Sequence, residues 1–240
     1  MAAGHGTREM PGMAVLASLT IPVRAARSTF GNAPKGLMTD HQHVVKAALA
    51  SAFGEGALRP WRLVSNDGRF YGVTGWVNPD LTRAAFDEGC MSIGAAVHLD
   101  AYDPPPVGAR VELELHASPQ RDVRVYDPAS GRRKVQSHDV GREGNNARAA
   151  YEAWIRSKVF VPRSGIEIDG EIRITNAAAT DGIYRNGDRL IRTRIPRVEA
   201  KIPVRVVQPA NFLAFLHRGV GPLAHVGYGL LMPGGLVDGV

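Results

Sequence analysis

Cysteine is almost absent: Cys90 is the only one in 240 residues. No disulfide frame and no thiolate metal site can be built from a single thiol, and an inert buried side chain is its expected state. The histidines show no metal-ligand spacing either. His41 and His43 stand two positions apart, while His98, His116, His138, His217 and His225 are scattered, so a zinc hydrolase is not expected and no cofactor is implied. Neither a Gly-x-Ser-x-Gly elbow nor a Walker loop occurs. No apolar run approaches the roughly 18 residues a membrane-spanning helix needs. Arg8 followed by Met13–Val23 has the outline of a weak signal peptide. However, Val15, Ala17, Leu19, Ile21 and Val23 alternate with Leu16, Ser18 and Thr20, which is the period of a half-buried strand and points to a cytoplasmic protein. Lysine is scarce too, at 35, 46, 134, 158 and 201 only, so arginine supplies most of the 29 basic residues. Arginine is also the better bidentate phosphate ligand.

What is present describes a folded chain. Hydrophobic residues make up 44% and charged residues 22%, a globular balance. The length allows one large domain or two small ones, each able to bury a core. A net charge of +6 and a pI near 9.8 suit a polyanionic partner, although a merely solvated basic surface has the same composition.

Residues 1–12 are small and polar and read as a disordered extension. A strand over 13–23 follows, then a loop, Arg24 to Met38, carrying Arg24, Arg27 and Lys35. Thr39-Asp40-His41-Gln42 has the form of a capping box that opens a helix through Phe53, with Val45, Leu49, Ala52 and Phe53 inward and Gly54 at its end. Trp61–Val64 and Arg69–Trp76 pair around Asn66-Asp67-Gly68 as a hairpin. Leu81–Met91 reads as a helix and Val97–Tyr102 as a strand. After Pro104-Pro105-Pro106, Val107–His116 alternates as a further strand that closes a first unit over 13–119. Strand, helix, hairpin, helix, strand is the ferredoxin-like order.

The segment 120–163 differs. Ten basic residues (Arg121, Arg124, Arg132, Arg133, Lys134, Arg142, Arg148, Arg156, Lys158, Arg163) face five acidic ones, which concentrates +5 of the protein's +6 there. Asn145 or Asn146 caps a helix with Tyr151, Trp154 and Ile155 inward and Arg148 and Arg156 outward. The segment reads as a basic linker and helical finger laid against a polyanion, or equally as an ordinary solvated amphipathic helix. Over 164–240, Ile166–Thr175 and Arg194–Val207 are strands around a turn-rich region at Asn186-Gly187-Asp188. A helix beginning at Pro209, with Phe212, Phe215 and Leu216 on one face, leads to a closing strand over Tyr228–Met232. The fold class is therefore α+β, two tandem ferredoxin-like (RRM-like) units.

Between that helix and the closing strand lies the most specific stretch, Gly219-Val220-Gly221-Pro222-Leu223-Ala224-His225-Val226-Gly227-Tyr228-Gly229-Leu230-Leu231. Two Gly-x-Gly pairs suit a loop whose N–H groups line a phosphate. Gly219-x-Gly221-x-x-Ala224 formally fits a dinucleotide fingerprint, but that motif follows a strand and opens a helix, whereas this one follows a helix. Its spacing, preceding helix and position near the C-terminus resemble the glycine-rich loop of CRISPR repeat-RNA processing endoribonucleases. These belong to the RAMP superfamily, and the type I-E and type IV enzymes are the closest in look. Pro106 to Pro119 also resembles a strand of the type I-E enzymes, in which a basic linker and a Trp-containing helix likewise follow.

The resemblance implies two RRM-like units that bind a repeat hairpin, cut at its base without metal and keep the product within an interference complex. In that chemistry a 2′-OH attacks the adjacent phosphate, leaving a 2′,3′-cyclic phosphate and a 5′-OH. It needs a base, an acid and donors for the developing charge. Type I-E relatives carry a Tyr and a His three positions apart near the first helix, and in that region this sequence has His43, the first candidate, and His41, the second. The positive end of the helix dipole favours neutral imidazole there and draws in phosphate. No Tyr lies between Arg24 and Phe53, so the resemblance leaves either one histidine acting with a basic partner such as Arg24, Arg27 or Lys35, or cleavage that is mainly electrostatic and positional. The expected RNA contacts are Lys35, Arg132, Arg133, Lys134, Arg142, Arg148, Arg156, Lys158, Arg218, Gly219, Gly221, His225, Gly227 and Gly229. Type I-E relatives have a loop Lys where this chain has Leu223-Ala224-His225, so His225 or Arg218 would replace it. The alternatives are a non-catalytic guide-RNA-binding subunit of the same superfamily, or an enzyme for small phosphorylated metabolites, which would need a closed pocket.

Overall fold

The computed structural model describes residues 13–29, 40–127, 132–142, 146–186 and 189–234, with the backbone alone at 122–127, 132–136, 183–186 and 189–192. The first unit runs β1 (Ala14–Pro22), α1 (Val23–Ser28), α2 (His41–Phe53), β2 (Leu58–Asn66), β3 (Phe70–Val77), α3 (Arg83–Ser92) and β4 (Ala96–Tyr102). Its antiparallel sheet has the order β2-β3-β1-β4, which is the ferredoxin-like arrangement.

The period of β1 decides how the molecule is layered. Leu16 pairs with Trp76, Ser18 with Thr74 and Ile21 with Tyr71. Successive side chains point to opposite faces. Ala17, Leu19 and Ile21, with Tyr71 and Val73, therefore pack under Val44, Val45, Ala48 and Leu49 of α2 and Phe86 of α3. Ala14, Leu16 and Trp76 face the other way and join the core of the second unit. There the Trp76 indole N–H donates to the carbonyl of Leu231 at 2.9 Å, and the Tyr102 ring meets Phe212 edge-on. Large side chains buried this completely each contribute roughly 2 kcal/mol of transfer free energy. The two units thus share apolar surface as well as a chain connection.

The second unit comprises β5 (Arg110–Ala117), the hairpin β6 (Gln120–Asp127) and β7 (Arg132–Asp139), α4 (Ala147–Val159), β8 (Ile166–Ile168), β9 (Arg173–Asn186), β10 (Arg189–Val206), α5 (Pro209–Arg218) and β11 (Leu230–Pro233). Its sheet runs β11-β5-β10-β8, with β9 also paired to β10, so the ferredoxin-like order recurs. The chain is α+β, built of tandem ferredoxin-like units.

Four sequence expectations are corrected. Val107–His116 does not close the first sheet, which β4 already completes; β5 pairs with β10 and β11 and is the first strand of the second. Its buried Leu113 and Leu115 would fit either sheet, and only pairing distinguishes them. The basic segment holds a hairpin ahead of the expected helix. Its first half is the β6–β7 hairpin, and α4 buries Tyr151, Trp154, Ile155 and Val159 in the second core. The region beginning at Arg24 contains the short helix α1. Finally, Asp40 and not Thr39 caps α2: its Oδ1 accepts from the N–H groups of Gln42 and His43 at 3.1 and 3.3 Å. Asn146 caps α4 through Ala149 N–H. The expected extension over 1–12, and Phe30, Lys35, Thr39, Asn145 and the 187–188 turn, lie outside the described residues.

Candidate nucleic-acid interface

The glycine loop is folded against itself. Gly219, Gly221, Gly227 and Gly229 all have φ between 69° and 95°. A Cβ on Gly229 would lie 2.2 Å from the Val220 carbonyl oxygen, and one on Gly219 would lie 2.8 Å from the Gly229 oxygen. The loop closes through Val220 N–H to Gly229 O at 2.9 Å, and Gly229 N–H reaches across to His116 O at 2.6 Å. Tyr228 N–H and Val226 N–H both turn back to Leu223 O, and Gly219 N–H ends α5 on Phe215 O. Of the four glycines, Gly219 and Gly229 thus spend their N–H groups on protein carbonyls. Glycine is required at Gly219 and Gly229 because two backbone segments cross there at contact distance.

The outer edge of the loop forms one wall of a groove of about 980 Å³. Gly219, Val220, Gly221 and Pro222 face Trp154, Ser157 and Lys158 of α4, with Arg59, Arg121, Arg163 and Arg218 around the rim. Trp154 is fixed by its indole N–H on Gln120 O at 3.1 Å, and its ring fills the space a Gly221 side chain would occupy. The Arg218 guanidinium stands 5.2 Å over the Phe215 ring. Five basic side chains thus converge on one groove from β2, β6, α4, the α4–β8 turn and α5. Such a channel concentrates a polyanion electrostatically.

Arg59 also lines a second hollow of about 280 Å³, with Lys46, Trp61 and His225. The short 3-10 turn Ala224–Val226 carries His225 there. Burial pushes the His225 imidazole below its ordinary value, and the charges of Lys46 and Arg59, with His43 nearby, act in the same direction. The loop also touches the first turn of α2, where a Gly227 Cβ would strike Gln42 Oε1 and the Trp61 ring. Both α2 histidines lie in that turn. His43 Nδ1 is 3.0 Å from Asp40 Oδ2 but makes no hydrogen bond there. His41 Nδ1 lies 2.9 Å from the hydroxyl of Tyr71, which is fully buried on β3.

Behind the loop, the His116 ring stacks on Tyr228 with centroids 5.5 Å apart and planes 8° from parallel. Burial pushes His116 below its ordinary value and Tyr228 up to about 12. Glu199 faces His116 at 3.6 Å, and that ring and the Arg197 guanidinium hold its carboxyl down at about 2. A neutral imidazole beside a carboxylate satisfies both directions. This packed polar layer fixes the inner side of the loop.

The expected site residues are not all brought together. Lys158, Arg218, Gly219 and Gly221 line the groove, and His225 lines the adjoining hollow. Gly227 and Gly229 are buried in the loop's folded interior. Arg156 is paired with Glu152 at 2.8 Å and Arg142 lies 3.9 Å from Asp139, while Arg148 is exposed on α4. Arg24 and Arg27 are exposed on α1 and line neither hollow. Arg132, Arg133 and Lys134 lie on β7, their side chains outside the described residues, as Lys35 is entirely. The sequence reading overlooked Arg59, Lys46 and Tyr71. For Tyr71 a signal was available, since it shares the alternation of Val73 and so faces the helices.

Two ferredoxin-like units, a basic groove and a glycine loop before the last strand thus frame the candidate interface. The chain belongs to the CRISPR-associated protein family, whose model, described as CRISPR associated protein, matches residues 17–233. Its fold is that of the CRISPR endoribonuclease Cse3 bound to a 19-nucleotide RNA (21% identical, TM-score 0.57, covering 92% of this chain and 99% of that one). Thermus thermophilus Cse3, bound to an RNA representing a pre-cleavage complex, is 22% identical with a TM-score of 0.53 over 92% and 98%. A chain of a CRISPR RNA-guided surveillance complex in a pre-nicking state is 16% identical with a TM-score of 0.56 over 91% and 98%. No curated protein matches the sequence. No helix among the described residues is long and apolar enough to cross a membrane.

Proposed function

We propose that this protein is a metal-independent endoribonuclease that cleaves CRISPR repeat hairpins in precursor RNA and stays bound to the mature guide RNA as a subunit of an interference complex. The observation that carries the reading is the continuity of the basic groove with the hollow that holds Lys46 and His225, Arg59 lining both, with His43 of α2 close enough for its charge to act on His225. RNA-bound relatives of the same fold support it. The hairpin backbone lies along Arg59, Arg121, Lys158, Arg163 and Arg218, and the scissile phosphate sits at the N-terminus of α2. A 2′-OH attacks that phosphate and loses its proton to water, leaving a 2′,3′-cyclic phosphate, and the departing 5′-oxygen takes a proton. His41 is the proton-transfer group, because its Nδ1 is anchored and its Nε2 has no protein partner among the described residues. Lys46 and Arg59 offset the phosphoryl charge, and His43 sits 3.0 Å from Asp40 beside them.

The test incubates the purified protein with its genomic repeat RNA in EDTA, beside the same RNA carrying a 2′-deoxy nucleotide at the cut. Cleavage of the native strand alone, yielding a cyclic phosphate end, is the expected result. Loss of cleavage in EDTA, or cleavage of the deoxy strand, refutes the mechanism. Tight binding with no cut assigns the protein to the non-catalytic RNA-binding subunits.

A further inference from the structure

Resting on the reading of His41 as the proton-transfer group, we infer that Tyr71 is its positioning residue. It fixes the imidazole from beneath and leaves Nε2 as the nitrogen that meets RNA. Tyr71 stands on β3, paired with Ile21 of β1 in the middle of the first sheet, and its ring is fully enclosed by the first core. The hydroxyl is the only polar atom of its side chain. Its one hydrogen-bond partner among the described residues is His41 Nδ1 at 2.9 Å, with ring centroids 5.6 Å apart and planes tilted by 57°. A buried hydroxyl without a partner is costly, so the bond constrains both side chains. The helix start adds a second constraint, because the Asp40 cap fixes the backbone that carries His41.

A phenol both donates and accepts. It donates to Nδ1 of a neutral imidazole and accepts from Nδ1–H of an imidazolium, so Nδ1 is occupied in either charge state. In the cleavage step the imidazolium keeps its Nδ1–H on the Tyr71 oxygen. Its Nε2 proton passes to the departing 5′-oxygen as the P–O5′ bond breaks and the P–O2′ bond forms, and the 2′-OH proton is released to water. The ring ends neutral, still bonded through Nδ1, and Tyr71 gains and loses nothing. A tyrosine on the third strand of the chain thus occupies the place the first-helix region leaves without one, from the sheet side and not from the RNA side.

The test compares Tyr71→Phe, which removes only the hydroxyl, with His41→Ala. For Tyr71→Phe the single-turnover cleavage rate on repeat hairpin RNA falls about tenfold, the cost of one lost hydrogen bond in the transition state, while the RNA dissociation constant stays unchanged. In ¹⁵N-histidine-labelled protein the His41 Nδ1 resonance moves on losing the phenol and those of the other histidines do not. Wild-type cleavage by Tyr71→Phe with an unmoved Nδ1 signal overturns the inference. So does a wild-type His41 Nδ1 resonance characteristic of a solvated nitrogen, which needs no variant to fold. An inactive His41→Ala beside a fully active Tyr71→Phe removes the role of Tyr71 alone, whereas a fully active His41→Ala removes both readings.

Discussion

Gly229→Ala isolates what the glycine loop requires. Gly229 has a φ of 95°, and its Cβ would sit 2.2 Å from the Val220 carbonyl oxygen and about 3 Å from two further backbone atoms of Val220. A left-handed alanine costs about 1–2 kcal/mol by itself. Backbone cannot swing aside as a side-chain tip can, so relieving the clash must open the Val220–Gly229 and Gly229–His116 hydrogen bonds. Those two bonds contribute about 1 kcal/mol each. The sum of roughly 3–4 kcal/mol corresponds to a melting point lowered by roughly 10 °C in a chain of this size. Gly68→Ala is the internal control: its φ of 84° is as unfavourable, but nothing lies within 4 Å of the new methyl. It should lose only the strain, roughly 3–6 °C. Thermal unfolding followed by circular dichroism separates the two, and RNA affinity falls only for Gly229→Ala because Val220 is part of the groove wall. If both variants melt within a degree or two of each other, the backbone crossing is not what demands glycine there.

Two further outcomes follow from the groove and the buried histidines. Arg59→Ala and Arg218→Ala together weaken RNA binding and flatten its salt dependence, by about 0.7–0.9 logarithmic units for each phosphate that is no longer neutralised. Arg156→Ala, whose guanidinium already faces Glu152, leaves the slope within error. An unchanged slope in the double variant would take the groove out of RNA binding. His116 and His217 are both pushed below the ordinary 6.5 by burial, so the unfolded chain takes up protons more readily than the folded one. Their contribution to stability is complete above about pH 6.5 and is lost as pH falls through the lower folded values. Melting points measured from pH 7.5 to pH 5 should therefore decline, and a flat profile would mean these rings are already solvated.

Much of this was legible locally. Alternation over Val15–Val23 gave β1, the Asn66-Asp67-Gly68 turn gave the β2–β3 hairpin, and Pro209 with Gly219 bounded α5. The glycine spacing and the helix before it pointed to the family. The failures share one cause. Whether Val107–His116 pairs with the first or second sheet depends on long-range hydrogen bonds that its own pattern does not encode. The positive charges at 120–163 said nothing of which faced a groove and which, like Arg156, faced a carboxylate on the next turn.

The sequence by itself determined the period of each element, the excess of arginine and the four glycines that alone can hold φ near 70–95°. Those are properties of single residues and their near neighbours. Tertiary structure alone decided that Arg59 lines two hollows, that Gly229 donates to His116 on a strand over a hundred residues away, and that a hydroxyl thirty residues along the chain meets His41. The reason is that hydrogen bonds and charge attraction act over a few ångströms of space, and sheet pairing sets that distance without regard to separation along the chain.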